Sequence, residues 1–371
     1  MVTLRVPISE QRDASYDILI GRELIADLPE LVARHCPATR YAVISDSHVQ
    51  PLLGQRVTAA FARAQQEVDT FTVPAGEWNK TRDSWATISD QMLAKKLGRD
   101  CAIIALGGGV VGDLAGFVAA TYLRGIPYVQ VPTSLLAMID SSIGGKTGVD
   151  VRAGKNLLGA FHQPRLVVAD LDALVTLPAV QLAAGLAEAV KHGVIGDGEY
   201  FAFLEREQHA IAARDPTALE RVVTRSVAIK AAVVADDERE TGRRAVLNFG
   251  HTVAHAIEAT CNFELLHGEA VAIGMAYEAR LAEHLGLADQ DTARRIIHAL
   301  QQFQLPLDLP AAATADHLIA AMEHDKKARA GTIRFSLPAR IGTMHHDSRL
   351  GWTVPVPPAA IREVLLRDYT N

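Results

Sequence analysis

The chain of 371 residues is 49% hydrophobic, so it can bury one large core or two smaller ones, and ordinary domain sizes favour two. Its 43 acidic and 37 basic residues give a formal net charge of -6 and form no basic stripe, which argues against a DNA or RNA partner. Three scattered cysteines exclude a disulfide framework, and the lack of a signal peptide or of about 18 consecutive apolar residues predicts a cytoplasmic protein with no membrane partner.

Short apolar runs alternate with amphipathic segments through the first half of the chain. Six runs rich in apolar and β-branched residues are predicted strands, at 16–20, 41–45, 68–73, 101–106, 128–131 and 166–169. Three of the segments between them are predicted helices, at 22–35, 48–66 and 80–97. This alternation predicts a largely parallel sheet covered by helices, which binds ligands at the carboxyl ends of its strands.

The pattern changes after about residue 177. Alanine-rich stretches with helical spacing dominate from Val180 to about Arg329, and one further strand is predicted at 331–337. We therefore expect an α/β, Rossmann-like nucleotide-binding domain over residues 1–172, followed by a mostly α-helical domain over residues 173–371.

A glycine-rich turn follows the fourth predicted strand. Gly107, Gly109 and Gly112 have the G-x-G-x-x-G spacing that lets a backbone approach a pyrophosphate at a helix N-terminus. Alone this signal is weak, because no acidic residue follows at the usual distance and a simple packing turn would look the same. Asp46 and the loop 74–80 close two neighbouring predicted strands. Because these three loops meet at one edge of the sheet, we expect a dinucleotide as their ligand.

Residues 135–164 combine polar side chains with a glycine-rich backbone. The Gly-Gly-Lys-Thr stretch at 144–147 is similar to the end of a P-loop, but Asp140 stands where the first glycine of that motif belongs. A nucleoside triphosphate site is therefore not supported. Lys146 and Lys155, beside exposed amides, suit a phosphoryl group or a carboxylate, although surface lysines usually have no ligand.

Histidines in the second half suggest a metal site. His251 and His255 lie four residues apart, on one face of a predicted helix, and His267 begins the next helix. A catalytic zinc site needs about three nitrogen or oxygen ligands and one open position, and Glu188 offers a carboxylate from the predicted helix 182–192. The helical half would then be the metal- and substrate-binding domain.

Two arrangements of this metal site are compatible with the histidine spacing. In a zinc metalloprotease both histidines of the pair bind the metal, but a glutamate must directly follow the first of them, and Thr252 stands there. In the other arrangement only one of the pair binds, and the second histidine moves protons. The second arrangement is favoured.

The order and spacing of six segments are similar to those of one known family. These segments resemble the signature segments of 3-dehydroquinate synthases, in the sugar phosphate cyclase superfamily, and lie at 107–113, 138–148, 154–164, 185–193, 247–252 and 266–271. The resemblance implies a carbon–oxygen lyase of the shikimate pathway for aromatic amino acids. Such an enzyme converts 3-deoxy-D-arabino-heptulosonate 7-phosphate into 3-dehydroquinate and phosphate by transient oxidation with NAD, β-elimination, re-reduction and aldol closure.

The resemblance also implies roles for individual positions. Zinc or cobalt would be held by Glu188, His251 and His267. Proton transfer would involve His255 and Glu240, with Lys146 and Lys191 as further catalytic groups. NAD would contact Asp46, Glu77, Lys80, Gly108, Gly109, Val110, Asp113, Thr133, Ser134, Lys155 and Thr176. The sugar-acid phosphate would contact Arg124, Asp140, Lys146, Asn156, Lys191, Lys230, Arg244, Asn248 and either Lys326 or Lys327.

Family members are usually homodimers, and the resemblance implies that Arg124 reaches the phosphate bound in the neighbouring subunit. Two alternative functions remain. A sister cyclase makes a valiolone or a deoxy-inosose from a substrate without a carboxylate, whereas Arg244 and Asn248 favour a carboxylate. A metal-dependent polyol dehydrogenase would produce net NADH from an uncharged substrate, which leaves the predicted cluster of lysines without a role.

Overall fold

The computed structural model of the protein describes residues 13–152, 154–261, 264–324 and 332–367. Strands in these ranges are β1 (Asp17–Gly21), β2 (Arg40–Asp46), β3 (Val68–Val73), β4 (Cys101–Gly107), β5 (Tyr128–Pro132), β6 (Lys146–Val151), β7 (Gly154–Phe161), β8 (Leu166–Asp170), β9 (Ile333–Phe335), β10 (Pro338–Arg340), β11 (Thr343–Met344) and β12 (Val354–Val356). Six of them form a parallel sheet in the order β1-β8-β5-β4-β2-β3. All six predicted sheet strands are present.

The sheet has the topological reversal typical of nucleotide-binding folds. From β2 the chain moves to β3 on one side, and it then returns to β4 and β5 on the other side. The carboxyl ends of β2 and β4 therefore frame the crevice where such sheets bind ligands. β4, β5 and β8 are buried along their whole length, which explains their continuous apolar runs. β1 pairs only with β8 in this sheet, with Asp17 opposite Leu166.

Helices in the described ranges cover the sheet and build most of the second half. They are α1 (Leu28–His35), α2 (Gln55–Arg63), α3 (Arg82–Ala94), α4 (Gly109–Thr121), α5 (Ala179–Gly196), α6 (Gly198–Arg206), α7 (Gln208–Ala212), α8 (Pro216–Asp236), α9 (His251–Thr260), α10 (His267–His284), α11 (Thr292–Gln302), α12 (Ala315–His324) and α13 (Pro358–Leu366). The expected fold class, an α/β part followed by a mostly helical part, is confirmed. None of the helices in the described ranges is both long and apolar enough to cross a bilayer.

Three predicted helices are shorter than expected. The helix predicted at 22–35 begins only at Leu28, because Asp170 and Asp172 accept the backbone amides of Ile25 and Glu23 and hold this stretch in a turn. The segment predicted at 48–66 contains a π-helical turn, Gln50–Gly54, before α2. The helix predicted at 80–97 is α3, which begins after the cap Thr81 and ends at Ala94.

An antiparallel hairpin of β6 and β7 was not predicted, since its glycine-rich sequence looked like a loop. Val149 of this hairpin packs with α3 and α4 on one face of the sheet. On the other face, sheet residues join the helical half in one continuous core, which contains Val129 and Val131 of β5 as well as Leu182 and Leu186 of α5. The predicted strand at 331–337 corresponds to β9, although Gly331 lies outside the described residues.

Candidate active site

Three helices bring together a buried group of side chains suited to a metal. Glu188 projects from α5, while His251 and His267 are the first residues of α9 and α10. Oε1 of Glu188 lies 3.5 Å from Nε2 of each histidine, and the three ligand atoms lie within 4.8 Å of one another. The ring of His255 lies one turn further along α9, 5.5 Å from the ring of His251 between centroids. The sequence-predicted ligand set thus converges on one point.

The chemistry of this group fits a divalent cation. Glu188 is fully buried, and neither carboxylate oxygen accepts a hydrogen bond from any residue that the structure describes. Its Oε2 forms an ion pair with Lys191, but a buried carboxylate without hydrogen bonds is costly. Nδ1 of His251 lies 3.1 Å from the carbonyl oxygen of Phe249, which leaves Nε2 to face Glu188. One carboxylate and two imidazoles are ligands that zinc and cobalt accept.

The two histidines differ in how readily they bind a proton. Burial, reinforced by the charge of Lys191, lowers the pKa of His251 well below 6.5, so its imidazole is neutral and its lone pair is available. Burial also lowers the pKa of His267, but its contacts with the carboxylates of Glu188 and Glu258 outweigh it and raise the pKa to about 10. A proton must therefore leave His267 before it binds a metal, and metal affinity falls as the pH falls.

Glycines let the three ligand-bearing helices approach closely. A Cβ added at Gly268, next to His267, would lie 2.0 Å from the carbonyl oxygen of Ala184 in α5. A Cβ added at Gly274, further along α10, would lie 1.9 Å from the carbonyl oxygen of Gly250 at the start of α9. Both helix crossings therefore require glycine, and both lie within about two turns of a proposed ligand.

A buried carboxylate of α10 fixes the start of α9. Gly250 precedes the helix with a φ of 83°, and it has no side chain that could cap the helix. Glu278 accepts the backbone amides of Gly250 at 2.7 Å and of Val253 at 3.0 Å. This contact replaces an ordinary N-cap and complements the helix dipole where His251 stands. Glu278 was not predicted, because its role depends on how two helices pack.

Asp140 connects the metal group with the predicted substrate residues. Its Oδ1 lies 2.7 Å from Nζ of Lys230 and 3.8 Å from Nζ of Lys191. Burial raises the pKa of Asp140, but these two cations outweigh it and lower the pKa well below 3.8. Lys191 therefore bridges Asp140 and Glu188. His192, fully buried and 3.7 Å from Asp140, is a neighbour that sequence reasoning missed.

The segment after α8 carries further predicted residues. Glu240 forms an ion pair with Lys146 of β6 and accepts a hydrogen bond of 2.7 Å from the amide of Asn248. Arg244 is buried and donates to the carbonyl oxygens of Gly144 and Glu238. The predicted proton acceptor, phosphate lysine and carboxylate-binding groups are therefore connected through one segment.

Asp237 holds this segment in place. Its carboxylate accepts the backbone amides of Thr241 at 3.0 Å, Gly242 at 2.7 Å and Arg244 at 3.0 Å. Burial raises its pKa, but the three amides together outweigh this and lower the pKa to about 2. The loop geometry around Arg244 therefore depends on an ionised Asp237.

The predicted nucleotide residues converge at the crevice between β2 and β4. Gly108 precedes α4 in an extended conformation and provides no side-chain cap, so Gly109 and Val110 begin the helix with amides available for a ligand phosphate. Thr133 donates its amide to Gly107 at 2.9 Å, and a Cβ added at Gly108 would lie 3.5 Å from Oγ of Ser134. These positions fit a pyrophosphate. Asp46 ends β2 beside them, and its Oδ1 accepts the amides of His48 and Val49 at 2.8 and 2.9 Å.

A buried lysine joins three carboxylates beside this crevice. Nζ of Lys80 lies 2.7 Å from Glu77, 3.3 Å from Asp113 and 3.7 Å from Asp150. Burial raises the pKa of Asp113 to about 6, although Lys80 acts in the opposite direction. Lys80 thereby connects the loop after β3 with α4 and β6. The role of Asp150 was not predicted.

Lys155 of β7 reaches the metal group through a residue that sequence reasoning missed. Its Nζ lies 3.2 Å from Oε1 of Glu258, and the same oxygen lies 3.3 Å from Nδ1 of His267. Glu258 shares one face of α9 with His251 and His255, seven and three residues earlier. This helical spacing was the sequence signal that could have identified it.

Three predicted residues in the described ranges lie outside these groups. Arg124 lies beyond the C-terminal end of α4, which is about 20 Å from the N-terminal glycines by the rise of a 13-residue helix. Thr176 ends a turn after β8, two strands away from β4. Asn156 lies in β7 with a φ of 52° and donates its amide to Asp150. Lys326 and Lys327 lie outside the described residues.

Comparisons with known proteins agree on one family. The family model for the N-terminal part of 3-dehydroquinate synthase matches residues 70–184, and the model for its C-terminal part matches residues 185–328. A 3-dehydroquinate synthase from Symbiobacterium thermophilum is 49% identical over 355 residues, which are 95% of this chain and 98% of that protein.

Solved structures of related cyclases share the fold. ValA, the 2-epi-5-epi-valiolone synthase from Streptomyces hygroscopicus subsp. jinggangensis 5008 with NAD+ and Zn2+ bound, has a TM-score of 0.88 at 32% identity, covering 97% of this chain and 98% of that one. A 2-deoxy-scyllo-inosose synthase complexed with carbaglucose-6-phosphate, NAD+ and Co2+ has a TM-score of 0.86 at 28% identity, covering 94% and 96%. The matched family models, and a relative that is nearly half identical over almost the whole length, place this chain in the 3-dehydroquinate synthase family.

Proposed function

We propose that this chain is a carbon–oxygen lyase that converts 3-deoxy-D-arabino-heptulosonate 7-phosphate into 3-dehydroquinate and inorganic phosphate, in the shikimate pathway. Family membership supports this reaction. The observation that carries it is the unbroken contact from Glu188 through Lys191 and Asp140 to Lys230. This contact joins a metal-binding group to a cationic substrate pocket, which a simple redox enzyme for neutral polyols does not need.

We propose NAD and one divalent metal as cofactors. The related cyclase structures contain NAD+ with Zn2+ or Co2+, and the donor set of Glu188, His251 and His267 accepts either metal. NAD held at this crevice would supply reversible hydride chemistry at the carbon that bears a substrate hydroxyl. The transient ketone would acidify the adjacent C–H bond and permit loss of phosphate, and return of the hydride would leave no net redox change. A bound metal supplies Lewis acidity that polarises the hydroxyl being oxidised.

The chain's own residues bind the two anionic ends of the substrate. Lys146 and Lys230 offer ammonium groups to the phosphate and its neighbouring hydroxyls. Arg244, already oriented by its contacts with Gly144 and Glu238, offers a planar guanidinium to the carboxylate, and Asn248 lies in the same segment. Holding both ends restrains the open chain, so that ring closure needs little further help.

In this proposal, His255 and Glu240 transfer protons. His255 stands one helical turn from His251, where it can accept a proton from a hydroxyl bound beside the metal group. Glu240 is held between Lys146 and Asn248, so its carboxylate is oriented for the same relay. Neither residue needs to move with the substrate, since His255 belongs to α9 and Glu240 is held by its contacts with Lys146 and Asn248.

We further propose a cytoplasmic homodimer in which Arg124 completes the phosphate site of the partner subunit. The location of Arg124 beyond the far end of α4 supports this role, because it is remote from the crevice of its own subunit. The division into a nucleotide domain over 1–172 and a metal and substrate domain over 173–371 is part of the same proposal.

A sister cyclase is the second candidate function. The ValA structure supports it through fold and 32% identity, but identity to the curated 3-dehydroquinate synthase is higher, at 49%. The buried Arg244 next to Asn248 also favours a substrate with a carboxylate.

The experiment follows phosphate released from 3-deoxy-D-arabino-heptulosonate 7-phosphate with catalytic NAD and zinc, and it records NADH absorbance in parallel. We expect one phosphate per substrate, no accumulating NADH, and no turnover by Glu188→Gln. The matched control is Glu220→Gln on the exposed face of α8, which should turn over normally. Turnover of sedoheptulose 7-phosphate or glucose 6-phosphate instead would assign a sister cyclase, and net NADH would assign a dehydrogenase.

A further inference from the structure

We propose that Glu258 is a positioning residue that holds His267 of the metal group and Lys155 of the nucleotide site in one geometry, and so couples the binding of metal and nucleotide. The inference rests on the proposed function, because it takes His267 as a metal ligand and Lys155 as a nucleotide contact. It adds a physical connection between the two sites.

A single carboxylate oxygen makes both contacts. Oε1 of Glu258 lies 3.2 Å from Nζ of Lys155 and 3.3 Å from Nδ1 of His267. The side chain of Glu258 is only 4% exposed, whereas those of Lys155 and His267 are 21% and 34% exposed. The carboxylate is therefore the most buried member of the trio, and it connects two more exposed partners.

The contact with His267 determines which ring nitrogen faces the metal group. Because Glu258 accepts a hydrogen bond from Nδ1, the lone pair of the neutral imidazole is on Nε2, and Nε2 lies 3.5 Å from Glu188. Carboxylates that orient a ligating histidine in this way typically affect metal affinity by about 10- to 100-fold. Glu258 is also anchored by α9, the helix that supplies His251.

The contact with Lys155 reaches the nucleotide side. Lys155 belongs to β7, whose partner strand β6 carries Asp150 next to Lys80. A metal that orders His267 therefore also orders Glu258 and Lys155. A nucleotide that orders Lys155 likewise orders Glu258 and His267. Thermodynamic linkage requires the two effects on affinity to be equal, with a usual size of about 5- to 150-fold.

The test measures binding without substrate. Zinc affinity of the metal-free enzyme is determined by competition with a chromophoric chelator, with and without NAD, and NAD affinity is determined by calorimetry with and without zinc. We expect each ligand to tighten the other by the same factor in the wild type. In Glu258→Gln, which keeps the shape but not the charge, zinc should bind about 10- to 100-fold more weakly, and the coupling factor should approach one.

Lys155→Met separates positioning from a general loss of structure. This variant keeps the aliphatic stem on the hairpin, so it should bind zinc alone like the wild type while it loses the coupling. Glu220→Gln, on the exposed face of α8, should preserve both affinity and coupling. A coupling factor of one in the wild type, or an unchanged factor in both variants, would overturn the proposal. Failure of phosphate release with intact coupling would instead count only against the proposed reaction.

Discussion

Replacing Gly274 by alanine tests whether close helix packing holds the metal group together. The added Cβ would lie 1.9 Å from the carbonyl oxygen of Gly250 and 3.1 Å from the amide nitrogen of Ala254. These atoms belong to the backbone, so no side chain can rotate away. Since non-bonded carbon contacts are favourable only near 3.5 Å, α9 would have to move by about 1.5 Å. His251 moves with α9, away from Glu188 and His267.

The expected cost can be estimated from its parts. Overpacking of a core typically costs about 1–3 kcal/mol, and loosening of the Glu278 contacts at the start of α9 costs about 1 kcal/mol more. Because alanine has a better helix propensity than glycine, about 1 kcal/mol of this destabilisation is offset. We therefore expect a net loss of about 1–3 kcal/mol in the free energy of unfolding. Because a displacement near 1 Å costs about 100-fold in rate, phosphate release should fall at least that far.

Urea unfolding, zinc affinity and phosphate release are measured for Gly274→Ala and for the control Gly198→Ala. A Cβ added at Gly198, at the start of α6, would lie 3.5 Å from its nearest neighbour, the carbonyl oxygen of Ile341. The control should be as stable and as active as the wild type. Wild-type stability together with wild-type zinc affinity in Gly274→Ala would refute the argument that this glycine positions His251.

Three further predictions concern charged groups of the candidate site. Chelation of the metal should lower the melting temperature, and zinc at 100 times its dissociation constant should restore about 2.7 kcal/mol, whereas Glu188→Gln should show no response to zinc in thermal scans. Lys191→Met leaves Glu188 without its cation. Urea unfolding of the metal-free protein should therefore show a free energy of unfolding lower by about 3–5 kcal/mol, and this loss should shrink when zinc is added. An equal loss with and without zinc would contradict this prediction. Asp237 has a lowered pKa of about 2 against an ordinary 3.8, so its stabilisation is present above pH 4 and disappears as the pH falls from about 4 to 2. In Asp237→Asn the free energy of unfolding should depend less on pH in that window. If the variant and the wild type gave parallel curves of unfolding free energy against pH, the carboxylate would have no such role.

The central strands β4, β5 and β8 of the main sheet could be predicted because they are buried on both faces. β4, for example, is a continuous apolar run that ends in glycine. The hairpin of β6 and β7 could not, because glycines occupy positions where the two strands nearly touch. A Cβ added at Gly159 would lie 2.1 Å from the carbonyl oxygen of Thr147. The composition that allows this approach is also the composition of a loop.

Within the candidate site, the sequence indicated residues that belong to local motifs. His251, His255 and His267 stand at helix starts or at helical spacing. The structure places His251 and His267 3.5 Å from Glu188, and the ring of His255 5.5 Å from that of His251. Glu278 remained hidden, because it serves a helix start on a different element. Buried carboxylates of this kind acquire their roles only when the helices pack, and composition gives no sign of that.

The pairing of β1 with β8 has a consequence for how the chain is made. Asp17 and Leu166 are opposite each other, although about 150 residues separate them in the sequence. At synthesis rates of about 5–20 residues per second, β1 waits on the order of 10 s outside the ribosome before its partner strand exists. During that time its apolar residues 18–20 form an unpaired edge, a segment open to chaperones and to association between nascent chains.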